Sequence, residues 1–258
     1  MPDGELGEDR KIPNHITAAN EARIELAYKR FDYMNAFLLA LYSGYSSVQK
    51  LGTSVQPPVN PVNYFVAEER NGEWIFHQEF VRDIKYPADR NITQLDTVKH
   101  AVELMITCES RFKADSIEIL KLTYLACHQY AVHEFSSAHI IAWTVVEKLL
   151  NVMWNDLLRE VDAKNGGHTA MSKDRKATLR GRDYSASVVS QLLSLNGKVD
   201  DDILARLDAA RRKRNAFAHS MEPIASNDAG RAIRLATDLM TELVGFRVTS
   251  QLSLSFYI

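Results

Sequence analysis

The chain has 258 residues, of which 46% are hydrophobic, and its formal net charge is −2. This length and composition indicate a globular protein with a sizeable core, built as one large domain or as a domain with an elaboration. The small net charge excludes a protein that coats nucleic acid through its overall charge, so any contact with a polyanion must come from a local cluster of cations.

The sequence predicts a cytoplasmic protein without membrane contact. The most apolar run covers residues 36–42, far short of the roughly 20 residues of a membrane span. Residues 1–16 are polar and acidic, carry no secretory signal and are predicted to be disordered. Cys108 and Cys127 lie in apolar helical patterns, so we expect buried free thiols of a reducing compartment.

Residues 17–92 are predicted to form an accessory region with three parts. A helix over about residues 18–42 is followed by a proline-rich linker over residues 46–61. A β-hairpin then pairs residues 64–67 with residues 74–76 around Asn71-Gly72, since Asn-Gly between aromatic and β-branched runs is a strong hairpin signal. A lone hairpin is marginally stable. Apolar and polar residues alternate over the tail, residues 251–258, so this tail is expected to add a strand to the hairpin.

Residues 93–250 are predicted to form a HEPN-like helical domain, interrupted by a polar, basic loop over about residues 168–182. Thr93 and Asp96 resemble a helix cap, followed by an apolar stripe of Leu95, Val98, Val102 and Met105. The longest predicted helix, residues 137–164, places tryptophans at positions 143 and 154 in the core. One helix is expected to open at Asp115 and run through Tyr124, and another to begin near Asp183 and stop at Gly197. Two further helices are expected over residues 200–220 and 228–247, the first with aspartates at its N-terminus, where they suit the helix dipole.

The stretch from Arg211 to His219 concentrates four cations, an amide and an imidazole on one predicted helix. Arg211, Asn215 and His219 stand four apart and line one face, whereas Arg214 is offset from His219 by about 140° of helical rotation. Guanidinium groups bind phosphate and histidine transfers protons near neutral pH. The same residues also suit a solvated basic helix end, so both interpretations stay open on the residues alone.

Two segments of this chain resemble the HEPN family (higher eukaryotes and prokaryotes nucleotide-binding). Residues 214–219, Arg-Asn-Ala-Phe-Ala-His, match its Arg-Asn-x-x-x-His motif, and residues 142–150 resemble its long apolar helix with an embedded acidic residue. The resemblance covers roughly residues 94–247. It implies a mainly α fold, namely a HEPN-like helical bundle here joined by the N-terminal accessory helix and the small β-hairpin, and homodimers that place two motifs in a shared cleft.

The resemblance also implies a reaction and roles for four residues. The ribonuclease members cleave RNA without a metal or other cofactor, through attack of a 2′-hydroxyl on the adjacent phosphate. By position, Arg214 would bind the scissile phosphate and His219 would act as general acid or base. Asn215 would orient the Arg or the His, and Glu147 would steady Arg214 from the neighbouring helix.

A second basic segment, residues 164–182, carries six cations and only one carboxylate in a nearly neutral chain. Such a segment suits an RNA backbone, with Tyr184 available to stack on a base, or it is simply a solvated loop. The cations expected to contact RNA are Arg211, Arg212, Lys213, Lys173, Arg175, Lys176, Arg180 and Arg182.

Two functions follow from these observations. The first is a metal-independent HEPN endoribonuclease acting as a homodimer on RNA, as a toxin or phage-defence effector, with an antitoxin or regulatory protein as a partner. The second is a non-catalytic HEPN module that binds nucleotide, RNA or a partner protein, and a purely structural helical dimer is a third, weaker interpretation. His128, His133 and His139 match no paired zinc-ligand spacing, so no metal site is predicted.

Overall fold

The computed structural model of the chain describes residues 14–49, 58, 67–70, 73–76, 93–163, 172–179, 181 and 184–249. This part of the chain is mainly helical and forms a helical bundle, which confirms the predicted fold class at that level. The helices are α1 (Asn14–Gly44), α2 (Leu95–Phe112), α3 (Ser116–Ala131), α4 (Phe135–Ala163), α5 (Lys173–Leu179), α6 (Ala186–Leu195), α7 (Asp201–Ser220) and α8 (Ser226–Val244).

Helix α4 is the centre of the bundle. Its buried side chains recur so often that they cover two adjacent stripes rather than one, and they include the predicted core tryptophans Trp143 and Trp154. A helix this apolar must be covered on several sides. Helices α3 and α8 pack along it most extensively, and α6 and α7 cover further parts of its surface.

Helix α1 is part of the bundle and not an accessory to it. Its C-terminal half packs on α2 and α3, and Ala36, Leu39 and Ala40 are buried in the same core cluster as the side chains of α4. The contact with α2 is so close that a Cβ atom added at Gly44 would lie 2.6 Å from the carbonyl oxygen of Thr97. Helix α1 therefore shares one core with the helices that follow residue 93.

The bounds of α1 also differ from the sequence prediction. The helix begins at Asn14, within the segment predicted to be disordered, and a π-helical turn over Tyr45–Gln49 continues it where the proline-rich linker was expected to begin. Towards the N-terminus its apolar side chains are uncovered, since Ile24 and Tyr28 are both more than half exposed. Their helical spacing alone did not distinguish a buried stripe from an exposed one.

Two short strands, β1 (Ala67–Arg70) and β2 (Glu73–Phe76), pair antiparallel on either side of residues 71–72. The register places Ala67 opposite Phe76 and Arg70 opposite Glu73. The expected start of the first strand at residue 64, most of the proline-rich linker and the tail over residues 251–258 lie outside the described residues.

The predicted stripe of α2 is wrong in part, although Met105 is partly buried and packs against the core. The residue that precedes the helix is Gln94, no side chain caps it, and Leu95 and Val102 are exposed. The buried face is instead Thr97, Ala101, Leu104, Cys108 and Phe112. This face includes both large and small side chains, and the small Thr97 and Ala101 lie near the N-terminal end of α2, where Gly44 of α1 approaches Thr97 most closely.

Near α6, α7 and α8 the chain turns where the sequence indicated. Gly197 follows α6 with a φ of 67°, a left-handed conformation that costs glycine little. Asp200 caps α7, and its carboxylate accepts a hydrogen bond from the N–H of Ile203 at 2.7 Å. These two local signals fix where α7 begins.

Cys108 and Cys127 are buried free thiols, as predicted. Burial raises the pKa of each thiol to about 12, so both remain protonated and unreactive at neutral pH. Among the described residues, no helix combines the length and apolar character that crossing a membrane requires.

If α4 organises the core, shortening one of its fully buried side chains must destabilise the protein far more than shortening an exposed one. We expect Leu149→Ala to lower the free energy of unfolding by about 2–5 kcal/mol, measured by urea denaturation. Leu195→Ala removes the same atoms from a side chain that is 81% exposed and should cost less than about 0.5 kcal/mol. Equal losses in the two variants would contradict the central role of α4.

Candidate functional site

Helix α7 carries the HEPN-like motif and is the most polar long helix of the bundle. Only Leu207 and Ala210 are buried along its length, and Phe217 packs against a small cluster near the start of α4. At its end Met221 adopts a left-handed conformation, and its N–H donates to the carbonyl oxygen of Phe217 at 2.9 Å. The motif therefore occupies the last two turns of a surface helix.

A buried histidine of α4 fixes α7 against its neighbours. His139 is 1% exposed, its Nε2 lies 3.0 Å from the carbonyl oxygen of Ala210 in α7, and its Nδ1 lies 3.3 Å from that of Asp228 in α8. A neutral imidazole has a single N–H, so it donates to one carbonyl at a time and both bonds require the doubly protonated ring. Either way this side chain joins α4, α7 and α8, at a contact four residues before Arg214.

Arg214 and Asn215 are held together. The Nη1 of Arg214 donates to the Oδ1 of Asn215 at 3.1 Å, and both side chains are half-buried. Arg214 lies seven residues after buried Leu207 and so shares the side of α7 that faces the core. The amide of Asn215 thus restricts where the guanidinium can point.

His219 points elsewhere. It lies exposed in the last turn of α7, about 140° around the helix from Arg214. No hydrogen bond or ion pair joins the two side chains within the described residues. Within one chain the two side chains therefore leave α7 on different sides, and Arg212 is the cation nearest the His219 stripe, about 20° away and about 10 Å back along the axis.

The other cations of the motif differ in how freely they can meet a ligand. Arg211 pairs with Asp208 at 3.3 Å, and its Nε is buried without a hydrogen-bond partner in the described structure. Lys213 pairs with Asp228 at 3.4 Å. Arg212 is exposed and makes no ion pair with any described residue.

Beside the motif, α7 and the first half of α8 enclose a cleft with a volume of about 780 Å³. Its base is His139 with the buried alanines Ala210 and Ala232, and Ala205 and Ala209 form part of the wall. Five cations and one carboxylate line it: Arg206, Arg212, Lys213, Arg231, Arg234 and Asp228. The cleft is therefore apolar at its base and strongly basic at its rim.

Sequence reasoning found only part of this cleft. It identified Arg212 and Lys213 but not Arg206, Arg231 or Arg234. The two arginines of α8 stand three residues apart on the exposed side of an amphipathic helix. This spacing is the sequence signal that could have indicated a basic surface on α8. Only the packing of α7 against α8 places them opposite Arg212.

Glu147, expected to steady Arg214, lies half-buried on α4. Within the described residues no hydrogen bond or ion pair connects it to Arg214, whose guanidinium bonds to Asn215 instead. Its neighbour Lys148 pairs with Glu118 at 2.8 Å and with Asp115 at 3.5 Å. The hydrogen bond with Glu118, followed by the attraction of both carboxylates, raises the pKa of Lys148 against the opposing effect of burial.

The second basic segment is partly helical. Lys173 and Arg175 are exposed on α5, whereas Arg180, Arg182 and the side chain of Lys176 lie outside the described residues. Tyr184 was expected to be available to stack on a base, but it is half-buried and stacked on Trp154, with ring centroids 5.7 Å apart. That ring supports the fold.

Comparisons of the chain with family models, with curated proteins and with solved structures find no match. The resemblance to HEPN domains accordingly rests on residues 214–219 and 142–150 themselves. Within the described residues, no three His, Cys, Asp or Glu side chains group together as a metal site would require.

The bridging role assigned to His139 predicts a loss of stability when its ring is removed. His139→Ala leaves a buried carbonyl without its donor and should lower the free energy of unfolding by about 1–3 kcal/mol, measured by urea denaturation. His219→Ala removes the same ring from an exposed position and should change it by less than about 0.5 kcal/mol. If both variants unfold at the same urea concentration, His139 does not hold α7 in place.

Proposed function

We propose that this protein is a HEPN-type endoribonuclease that cleaves RNA by attack of a 2′-hydroxyl on the adjacent phosphate. The observation that carries the proposal is the arrangement at the end of α7. An amide-oriented guanidinium, an exposed imidazole and Arg212, which has no ion-pair partner among the described residues, lie within about two turns of one surface helix, beside a basic cleft. These are groups that bind a phosphate and transfer protons around it.

In this proposal each group has a separate task. Arg214, held by Asn215, binds the non-bridging oxygens of the scissile phosphate and stabilises the charge that develops on them. His219 takes the proton of the 2′-hydroxyl or gives a proton to the leaving 5′-oxygen. Arg212, on nearly the same stripe as His219, binds a neighbouring phosphate.

The offset between Arg214 and His219 favours a site shared between two chains. Because the two side chains lie on different sides of α7, one phosphate is reached by both more easily when two copies of the helix face each other. The homodimer implied by the HEPN resemblance supplies such a second copy. We propose that such a nuclease acts as a toxin or phage-defence effector and that an antitoxin or other regulatory protein binds it.

Cleavage should depend on His219 and should not need added metal. With an RNA oligonucleotide in excess chelator, we expect His219→Ala to lower the cleavage rate by about 100-fold or more. We expect Arg214→Lys, which keeps the charge but loses the planar fork, to lower it as well. The wild-type product should carry a 2′,3′-cyclic phosphate, and a substrate with 2′-O-methyl groups should remain intact.

Arg247→Ala is the matched control, because Arg247 is exposed and lies outside both the motif and the cleft. It should cleave at the wild-type rate. Undiminished turnover by a folded His219→Ala protein would remove the catalytic assignment.

A second function, RNA binding without cleavage, is favoured by one specific observation. The exposed Arg212 lies on the cleft side of α7, whereas Arg214 is half-buried on the side that faces the core. A face of this kind can hold phosphates without the motif taking part in chemistry.

Binding through this face should be electrostatic. In filter-binding assays with single-stranded RNA, we expect Arg212→Ala to weaken affinity for every sequence and to reduce the slope of log K against log salt by about 0.7, one phosphate contact. Arg247→Ala should leave the slope unchanged. An identical slope for wild type and Arg212→Ala would show that this arginine does not contact the backbone.

A further inference from the structure

The cleft between α7 and α8 has a composition that a nucleic-acid surface does not need. Among the described residues that line it there is no phenylalanine, tyrosine or tryptophan, although bases bind to single-strand grooves largely by stacking on such rings. The apolar residues that line it are instead alanines, with Ala205 and Ala209 exposed on the wall and Ala210 and Ala232 buried at the base. Small side chains on two adjacent helices leave room for the backbone of a third element to approach closely.

The rim of the cleft carries more positive charge than the described residues balance. Arg206 is held by Asp202 and Asp238, and Lys213 is held by Asp228. Three exposed arginines on the rim have no carboxylate at ion-pair distance in the part of the chain that the structure describes: Arg212, Arg231 and Arg234. An occupant that fits must therefore present several anionic groups around an aliphatic surface.

The dimensions indicate what form that occupant takes. The wall from Ala205 to Lys213 extends about 12 Å along α7, which equals about two turns of an α-helix. An amphipathic helix with leucine-like side chains on one face and glutamates or aspartates beside them offers the aliphatic ridge and the carboxylates together. A nucleoside triphosphate or an RNA strand offers the charge but no aliphatic surface for the alanines.

We propose that the α7–α8 cleft docks an acidic amphipathic helix of a partner protein. The aliphatic face of that helix packs on the alanines, and its carboxylates pair with Arg212, Arg231 and Arg234. The docking proposal depends only on the shape and charge of the cleft. Its consequence for cleavage rests on the proposed function: because Arg212 shares the stripe of His219, the docked helix competes with RNA for that side of α7.

The test uses the full-length protein and a defined probe. The probe is a fluorescein-labelled peptide of about 15 residues, with leucines spaced three and four apart on one face and glutamates elsewhere. Fluorescence anisotropy should show saturable binding, and a scrambled peptide of identical composition should bind at least about tenfold more weakly. Arg231→Glu with Arg234→Glu should weaken binding by about tenfold or more, since like charges then face each other.

Two further variants separate charge from shape. Arg247→Glu reverses an exposed arginine outside the cleft and should change the affinity by less than about twofold. Ala209→Trp leaves the charge unchanged but fills part of the wall, and it should weaken the peptide about as strongly as the double reversal. Each variant is first checked for an unchanged unfolding midpoint.

A crosslink locates the peptide. With oxidised glutathione as the oxidant, Ala209→Cys should form a disulfide with a peptide whose central leucine is replaced by cysteine, and Ser226→Cys, on an exposed position of α8 outside the cleft lining, should not. The native Cys108 and Cys127 do not compete, because both are buried.

Several results would overturn the inference. They are absent peptide binding, equal binding of the scrambled peptide, or a double reversal that weakens a uridine oligonucleotide or ATP but not the peptide. The last would assign the cleft to RNA or to a nucleotide. RNA cleavage is measured separately on the wild-type protein, so failure of the docking inference and failure of the nuclease proposal are distinguishable.

Discussion

The burial of α4 is the constraint on which the rest of the structure depends. Its apolar residues cover too wide an arc for a single neighbour, so α3, α6, α7 and α8 are all needed around it. Helix α1 then covers α2 and α3, and the core becomes continuous from the N-terminal helix to α8. This sharing explains why the N-terminal helix cannot be treated as a separate accessory.

Helix α7 joins this core with few apolar side chains. Leu207 and Ala210 are its buried residues, and His139 adds a polar connection by facing carbonyl oxygens in α7 and in α8. Most of α7 is thereby left free to carry charge. A polar helix fixed to a rigid support is well suited to present groups to a ligand, because their positions do not depend on loops.

The same packing separates the cations of α7 by environment. Arg214 faces the core side and bonds to Asn215, Arg211 and Lys213 are paired with aspartates, and Arg212 alone of the four remains exposed without a carboxylate in the described structure. The four consecutive cations therefore differ in burial and in their hydrogen-bond or ion-pair partners. The nuclease proposal depends on Arg214 and His219, whereas the docking proposal depends on Arg212 and the arginines of α8.

The sequence by itself determined the mainly helical class, the position of the long central helix, the burial of Cys108 and Cys127, and both ends of α7. These follow from local signals, namely apolar periodicity, caps and turn residues, that act within a few residues. Only the tertiary structure decided which stripe of α2 is buried, that Tyr184 stacks on Trp154, and that Arg231 and Arg234 face Arg212 across a cleft. Periodicity shows that a helix has faces, but contacts between residues far apart in the chain determine what each face meets.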